Sequence, residues 1–204
     1  MALELPDGVT LYFARHGQTQ ANAEHRFSGV KDTPLTDLGR RQARDVGAIL
    51  LRELGARPAI DFVSSPLARA KTTMEIARAV LDLPPTGYRT DPRLQEIDLG
   101  IWDQLTDTEA QALDAELFAR RNADKWHVRV PEGENYADVA RRVESFVHHL
   151  EADAFAVSHG AATRILRGLF TGLAWQQMSE LDEPQGVVFR ARGGKVVQLD
   201  AIPA

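Results

Sequence analysis

Short apolar runs alternate with amphipathic helical stretches along this chain, and two of the runs end in the same dipeptide. Val9 to Ala14 (VTLYFA) leads into Arg15-His16-Gly17, and Ala154 to Ser158 (AFAVS) leads into His159-Gly160. Strands separated by helices imply crossover connections, hence an α/β fold with a mostly parallel sheet and helices on both faces. In such a sheet a ligand lies in the crevice beyond the carboxyl ends of the strands. If the two strands are neighbours, both imidazoles meet at one sheet edge beside Arg15. Two histidines, an arginine and strand-end amides suit a phosphoryl group.

The periodicity between these points predicts the remaining elements. A helix runs from an N-cap at Thr36 to about Leu54, stopped by Gly55 and Pro58. Its inward face reads as Ala43, Val46, Gly47, Leu50, Leu51 and Leu54. Ile60 to Ser64 reads as a short strand, Leu67 to Leu81 as a helix, and Tyr88 to Thr90 as a third strand. One charged helix is expected from Thr106 to about Ala123, and a strongly amphipathic one from Tyr136 to Leu150. Ala161 to Phe170 is helical, and Val187 to Leu199 forms a hairpin about Gly193-Gly194. Together they make a single domain over residues 1–204, in which about 91–134 forms a small helical lid over the strand ends.

Composition narrows the function. The net charge of −5 offers no general attraction to nucleic acid or an anionic membrane, so an anionic substrate needs a local cluster of arginines. There is no cysteine, which excludes a disulfide framework, a Cys-based zinc site and a thiol nucleophile. The N-terminus lacks a basic region followed by an apolar one, and no stretch approaches the roughly 18 apolar residues of a membrane span. A cytoplasmic protein is expected. The partner is a small phosphorylated substrate, with neither nucleic acid nor membrane, and a homodimer is allowed for.

Four segments place polar groups at or just after strand ends. They are Arg15-His16-Gly17-Gln18-Thr19 with Asn22 and Ser28 beyond, Ser64 to Thr73 containing Arg69, Leu94 to Gly100 containing Glu96, and Val157 to Gly160. Arg69 falls in the first turn of a helix, where a cation opposes the helix dipole and a bound anion would compensate. The helix after His159-Gly160 offers free N–H groups to phosphate oxygens.

The ordered set RHGQT, TPLTDLGRRQA, SSPLARAKTT, LQEIDLGIW and SHG resembles the histidine phosphatase superfamily, which includes phosphoglycerate mutases and fructose-2,6-bisphosphatases. The match runs from about Leu11 to about Phe189. The resemblance implies a phosphoglycerate mutase-like fold, with His16 as the nucleophile that becomes a phosphohistidine. It implies phosphoryl binding by Arg15, Arg69 and His159, with Glu96 as general acid and then base. Asn22, Ser28 and Gly160 fall among the substrate-binding positions. No metal or other cofactor is implied. A chain of this length lacks the full mutase insertion. Ile97, Asp98 and Leu99 follow the glutamate where mutases carry a basic and an aromatic residue, so the phosphatase branch is favoured. Asp103-Gln104 stands where that branch often has Glu-Gly, and Glu132-Gly133-Glu134-Asn135 where Gly-Gly-Glu-Ser is usual.

The chemistry agrees with that assignment. Neutral imidazole is a competent nucleophile near neutral pH, and guanidinium forks match phosphate geometry. Attack by His16 divides hydrolysis into two displacements. Glu96 must be protonated to serve a leaving oxygen, which burial beside Ile97, Leu99 and Trp102 favours. The expected function is that of a metal-independent, histidine acid phosphatase-type phosphomonoesterase. The alternatives are a phosphoglycerate mutase-type phosphotransferase with the same residues, a metal-assisted hydrolase using His16, His159 and Glu96 as ligands, and a catalytically silent phospholigand-binding module. His25, His127, His148 and His149 belong to no motif. Arg120, Arg121 and Arg129 form an exposed helical face or read a second anionic group.

Overall fold

The computed structural model describes residues 2–201. Six strands form one sheet in the order β3-β2-β4-β1-β5-β6: β1 (Leu11–Arg15), β2 (Asp61–Ser64), β3 (Arg89–Thr90), β4 (Ala154–Ser158), β5 (Val188–Arg192) and β6 (Lys195–Leu199). β1, β2, β3 and β4 are mutually parallel, and β5 pairs antiparallel to both β1 and β6. This is the mostly parallel α/β sheet read from the sequence.

Alternation along β1 sends its side chains to opposite faces. Leu11 and Phe13 join a core with α6 (Tyr136–His148) and α7 (Gly160–Phe170). Tyr12 and Ala14 join another with α2 (Asp37–Leu54) and α3 (Ala68–Val80). α2 begins at the Thr36 N-cap, whose side chain accepts from Gly39 N–H, and ends at Gly55 with φ 78°. Leu51, expected inward, is exposed, and Ile49 is buried in its place. Both neighbour the inward stripe, and Ile49 joins the core that α2 shares with α3.

The 106–123 stretch is two helices, α4 (Asp107–Leu113) and α5 (Ala115–Ala123). Asp114 breaks the helix by leaving helical geometry and accepting from Leu117 N–H as the N-cap of α5. Two short helices complete the set, α1 (Gln20–Ala23) and α8 (Trp175–Met178). No helix among the described residues is long and apolar enough to cross a membrane.

Candidate active site

β1 and β4 are adjacent and in register, with Arg15 opposite Ser158. The residues that follow them therefore leave the same sheet edge. His16 N–H donates to the Ser158 carbonyl at 2.9 Å, and the His16 and His159 ring centres lie 5.0 Å apart. Nδ1 of His16 sits 2.7 Å from the Gly17 carbonyl. A carbonyl only accepts, so Nδ1 carries the proton and Nε2 the lone pair. That lone pair accepts from Arg69 Nε at 3.2 Å. Burial first, then the Arg69 and Arg15 charges, hold the imidazole well below its ordinary pKa.

Arg69 is fixed on several sides. Nη2 donates to the Gly29 carbonyl, and Nη1 to the Lys31 carbonyl at 3.1 Å and to Asp32 Oδ1 at 2.9 Å. The other Asp32 oxygen accepts from Ala68 N–H at 2.7 Å. An anion was expected to offset the cation at this helix start; Asp32 of the chain itself does so. Leu67, the N-cap of α3, offers no side-chain hydrogen bond, and Asp32 supplies the missing acceptor. The loop carrying these carbonyls is tied down by Asp103, which accepts from Gly29 and Lys31 N–H at 2.8 Å each. Asp32 lies outside the motifs and Asp103 departs from the usual Glu-Gly, and their spacing reveals neither partner, because each acts across a long sequence separation.

His159 is fully buried, with Nε2 2.7 Å from Ser65 Oγ. Its Nδ1, Arg15 Nε and Ser28 Oγ are buried without a hydrogen-bond partner. Three polar atoms left in that condition suit anion binding, because a buried donor without a partner is costly. Glu96 is buried too. Its Oε1 accepts from Ile97 N–H at 2.9 Å and its Oε2 from Ala161 N–H at 3.4 Å. Burial first, and the nearby Glu183 carboxylate second, push its pKa up. Asp98 turns away and accepts from Gly100 N–H.

A cavity of about 370 Å³ opens in front of these groups and reaches Arg15, Asn22, Ser28 and Glu96. Asn22 serves the local chain, since its Oδ1 accepts from Thr19 N–H and from Gln185 Nε2. His16, Arg69 and His159 stand behind the cavity wall, each at most 1% exposed. Arg121, Lys125, Tyr136 and Arg164 line the cavity as well. Arg121 and Lys125 have no carboxylate partner among the described residues, and burial is the first cause lowering the pKa of each. The Arg121 guanidinium lies 5.3 Å from the Tyr136 ring centre, and Arg164 donates to Tyr136 Oη at 2.8 Å. Glu183 faces this group, 3.4 Å from Arg15 Nη1 and 3.0 Å from Arg164 Nη2.

The pair Arg120-Arg121 thus divides: Arg120 is exposed and Arg121 points into the cavity. Arg129 pairs with Asp138 at 2.6 Å and is not part of the cavity lining. His148 and His149 are exposed at the end of α6. Lys125, Tyr136, Arg164 and Glu183 were not singled out as site residues from the sequence. Arg164 had a legible signal, lying one helical turn after Gly160.

The model of the histidine phosphatase superfamily, branch 1, matches residues 11–194. The 6-phosphofructo-2-kinase/fructose-2,6-bisphosphatase of Gallus gallus is 31% identical over 182 residues, covering 88% of this chain and 36% of the relative. The chain spans 24% of the Arabidopsis thaliana protein of the same name. A Yersinia pestis protein named "Probable phosphoglycerate mutase GpmB" is 34% identical over 175 residues, covering 81% of this chain and 76% of that one. Among solved structures, alpha-ribazole phosphatase from Shigella flexneri superposes with a TM-score of 0.80 at 25% identity, covering 95% and 96% of the two chains. A mycobacterial glucosyl-3-phosphoglycerate phosphatase in complex with VO3 gives 0.75 at 27% identity, covering 95% and 98%.

Proposed function

The chain belongs to the histidine phosphatase superfamily, branch 1, and from that premise we propose that it is a metal-independent phosphomonoesterase. It acts through a phosphohistidine on His16, and its substrate is a small metabolite with a second anionic group. The observation that carries the reading is the state of His16: neutral, with its lone pair fixed on Nε2 beside the Arg69 guanidinium.

His16 Nε2 attacks phosphorus in line, the ester P–O bond breaks, and Glu96 gives its proton to the leaving oxygen. Water then attacks the phosphohistidine, Glu96 takes a proton from it, and phosphate leaves with His16 restored. Arg15, Arg69 and His159 hold the equatorial oxygens, where electrostatics provides most of the catalysis of phosphoryl transfer. A guanidinium 3.2 Å from His16 Nε2 supplies positive charge beside the reacting atom, the service a metal ion performs in other phosphatases. Arg121 and Lys125, cations without carboxylate partners in the same cavity, support recognition of the second anion. The names of the Gallus gallus protein, a 6-phosphofructo-2-kinase/fructose-2,6-bisphosphatase, and of the mycobacterial one, a glucosyl-3-phosphoglycerate phosphatase, agree with such a substrate. Residues 91–134 are read as the lid.

The test is a panel of phosphomonoesters, with one or two anionic groups, assayed in excess EDTA. Phosphate release that survives chelation and favours doubly anionic substrates is the expected outcome. A brief base quench traps the labelled enzyme, since a phosphoryl label on His16 is acid-labile and base-stable, and His16→Ala should abolish it. Activity lost to EDTA and restored by a metal overturns the metal-independent reading. Interconversion of 2- and 3-phosphoglycerate with little phosphate release would establish the mutase instead.

A further inference from the structure

Glu183 holds the cations that an anionic substrate needs. Its carboxylate lies 3.4 Å from Arg15 Nη1 through Oε2 and 3.0 Å from Arg164 Nη2 through Oε1. It also packs directly against Gly160, at the start of the helix that follows His159. One carboxylate thus spans an arginine of the phosphoryl pocket and an arginine of the second cationic group.

The backbone on either side is anchored. On one side, Arg167 Nη1 donates to Asp182 Oδ1 at 2.8 Å and Nη2 to the Asp182 carbonyl at 2.6 Å. On the other, Gln185 Nε2 donates to the His16 carbonyl at 3.0 Å. The Glu183 carbonyl itself accepts from Arg15 Nη1 at 2.7 Å. The loop is therefore pinned, whereas the Glu183 side chain is 26% exposed. Gly160 contributes to the arrangement, because a Cβ there would collide with the carboxylate.

We propose that the Glu183 side chain is an internal gate, competing with substrate for Arg15 and Arg164 and swinging toward solvent when an anion takes its place. This rests on the phosphatase reading above. It accounts for a nucleophile that is 1% exposed behind a cavity that ends at Arg15 and Glu96. The gate makes the site selective. A dianionic phosphoryl group displaces the carboxylate from Arg15 more readily than a weakly charged ester does, and a second anion that reaches Arg164 adds to that advantage. When only part of the population is open, apparent affinity falls by that fraction.

The test is direct binding of inorganic phosphate to the full chain by calorimetry, with the wild type beside Glu183→Gln. The isosteric amide keeps the shape and removes the competing charge. The expected result is phosphate binding tightened by about three- to thirtyfold, on the scale of a gate open for a few to a few tens of per cent of the time. The rise in Tm at saturating phosphate should also be larger for the variant. Equal or weaker phosphate binding by a folded variant overturns the gate, and the phosphatase reading stands because the wild type still binds. Absence of phosphate binding to both proteins overturns the gate and the phosphoryl site together.

Discussion

An imidazole attacks phosphorus only through a nitrogen that carries no proton, so for the proposed mechanism the environment of His16 decides whether the site works. The Gly17 carbonyl fixes the proton on Nδ1, while burial and two arginines oppose a second proton. His159 is held below its ordinary pKa in the same way, by burial first and then by Arg69. Groups whose native pKa is depressed give full stability above their unfolded pKa and lose it below. With an unfolded imidazole near 6.5, stability should therefore fall as the pH drops below about 6.5. Thermal unfolding between pH 8 and 5 checks this, and His159→Asn should flatten the slope; an unchanged slope counts against the buried neutral imidazole. The acid limb of kcat/KM should likewise lie below the ordinary imidazole value. Glu96 makes the complementary case: burial raises its pKa, as the proposed role of proton donor to the leaving oxygen requires. Glu96→Gln should slow alkyl phosphates by roughly 10²- to 10⁴-fold. Aryl phosphates with acidic phenols should suffer much less in the first step, and phosphohistidine should accumulate. Equal first-step losses for both substrates would make Glu96 a binding residue.

At the scale of elements, the loop that carries His16 is pressed against the first turn of α2. A Cβ on Gly17 would collide with the Gly39 carbonyl, and one on Gly39 with the Gln18 carbonyl. These are backbone contacts that cannot rotate away, so Gly39→Ala should cost about 1–3 kcal/mol in urea unfolding and displace His16 as well. A stability loss without any loss of activity would mean that the loop moves as a rigid body. Asp32→Ala should remove both the acceptor at the start of α3 and a tie on Arg69. Activity should fall further than the roughly 0.5–2 kcal/mol lost with a helix cap would suggest. The start and stop of α2 were legible because Thr36 and Gly55 act locally, within one turn of the helix. The break at Asp114 was not, because an aspartate inside a charged stretch looks the same whether it faces solvent or caps a new helix. Asp32 and Asp103 were hidden for another reason: their partners lie tens of residues away, and only the fold brings them together.

For the whole molecule, the parallel strands deliver both histidine-glycine turns to one edge, and the rest of the chain decides what approaches that edge. The sequence left the adjacency of the two strands as a condition, and the pairing of β1 with β4 meets it, so the grouping of Arg15, His16 and His159 was readable from sequence. The other half draws Arg121 from α5, Lys125 from the segment after it, Tyr136 from α6 and Arg164 from α7. No local pattern joins four residues on four segments, and a lone arginine on a charged helix reads equally well as surface. The two halves can be separated by experiment. Arg121→Met and Lys125→Met keep most of the apolar stem of the side chain while removing charge. Each lost charge-assisted hydrogen bond is worth about 1.5–3 kcal/mol, hence roughly 10- to 100-fold in affinity. The expected outcome is a rise in KM of that size for a phosphomonoester with a second anionic group, with kcat little changed. A simple aryl phosphate, which offers nothing to those cations, should keep its kcat/KM within about threefold, because Arg15, Arg69, His159 and His16 are untouched. Equal losses on both substrates would show that Arg121 and Lys125 support the lid rather than read the substrate.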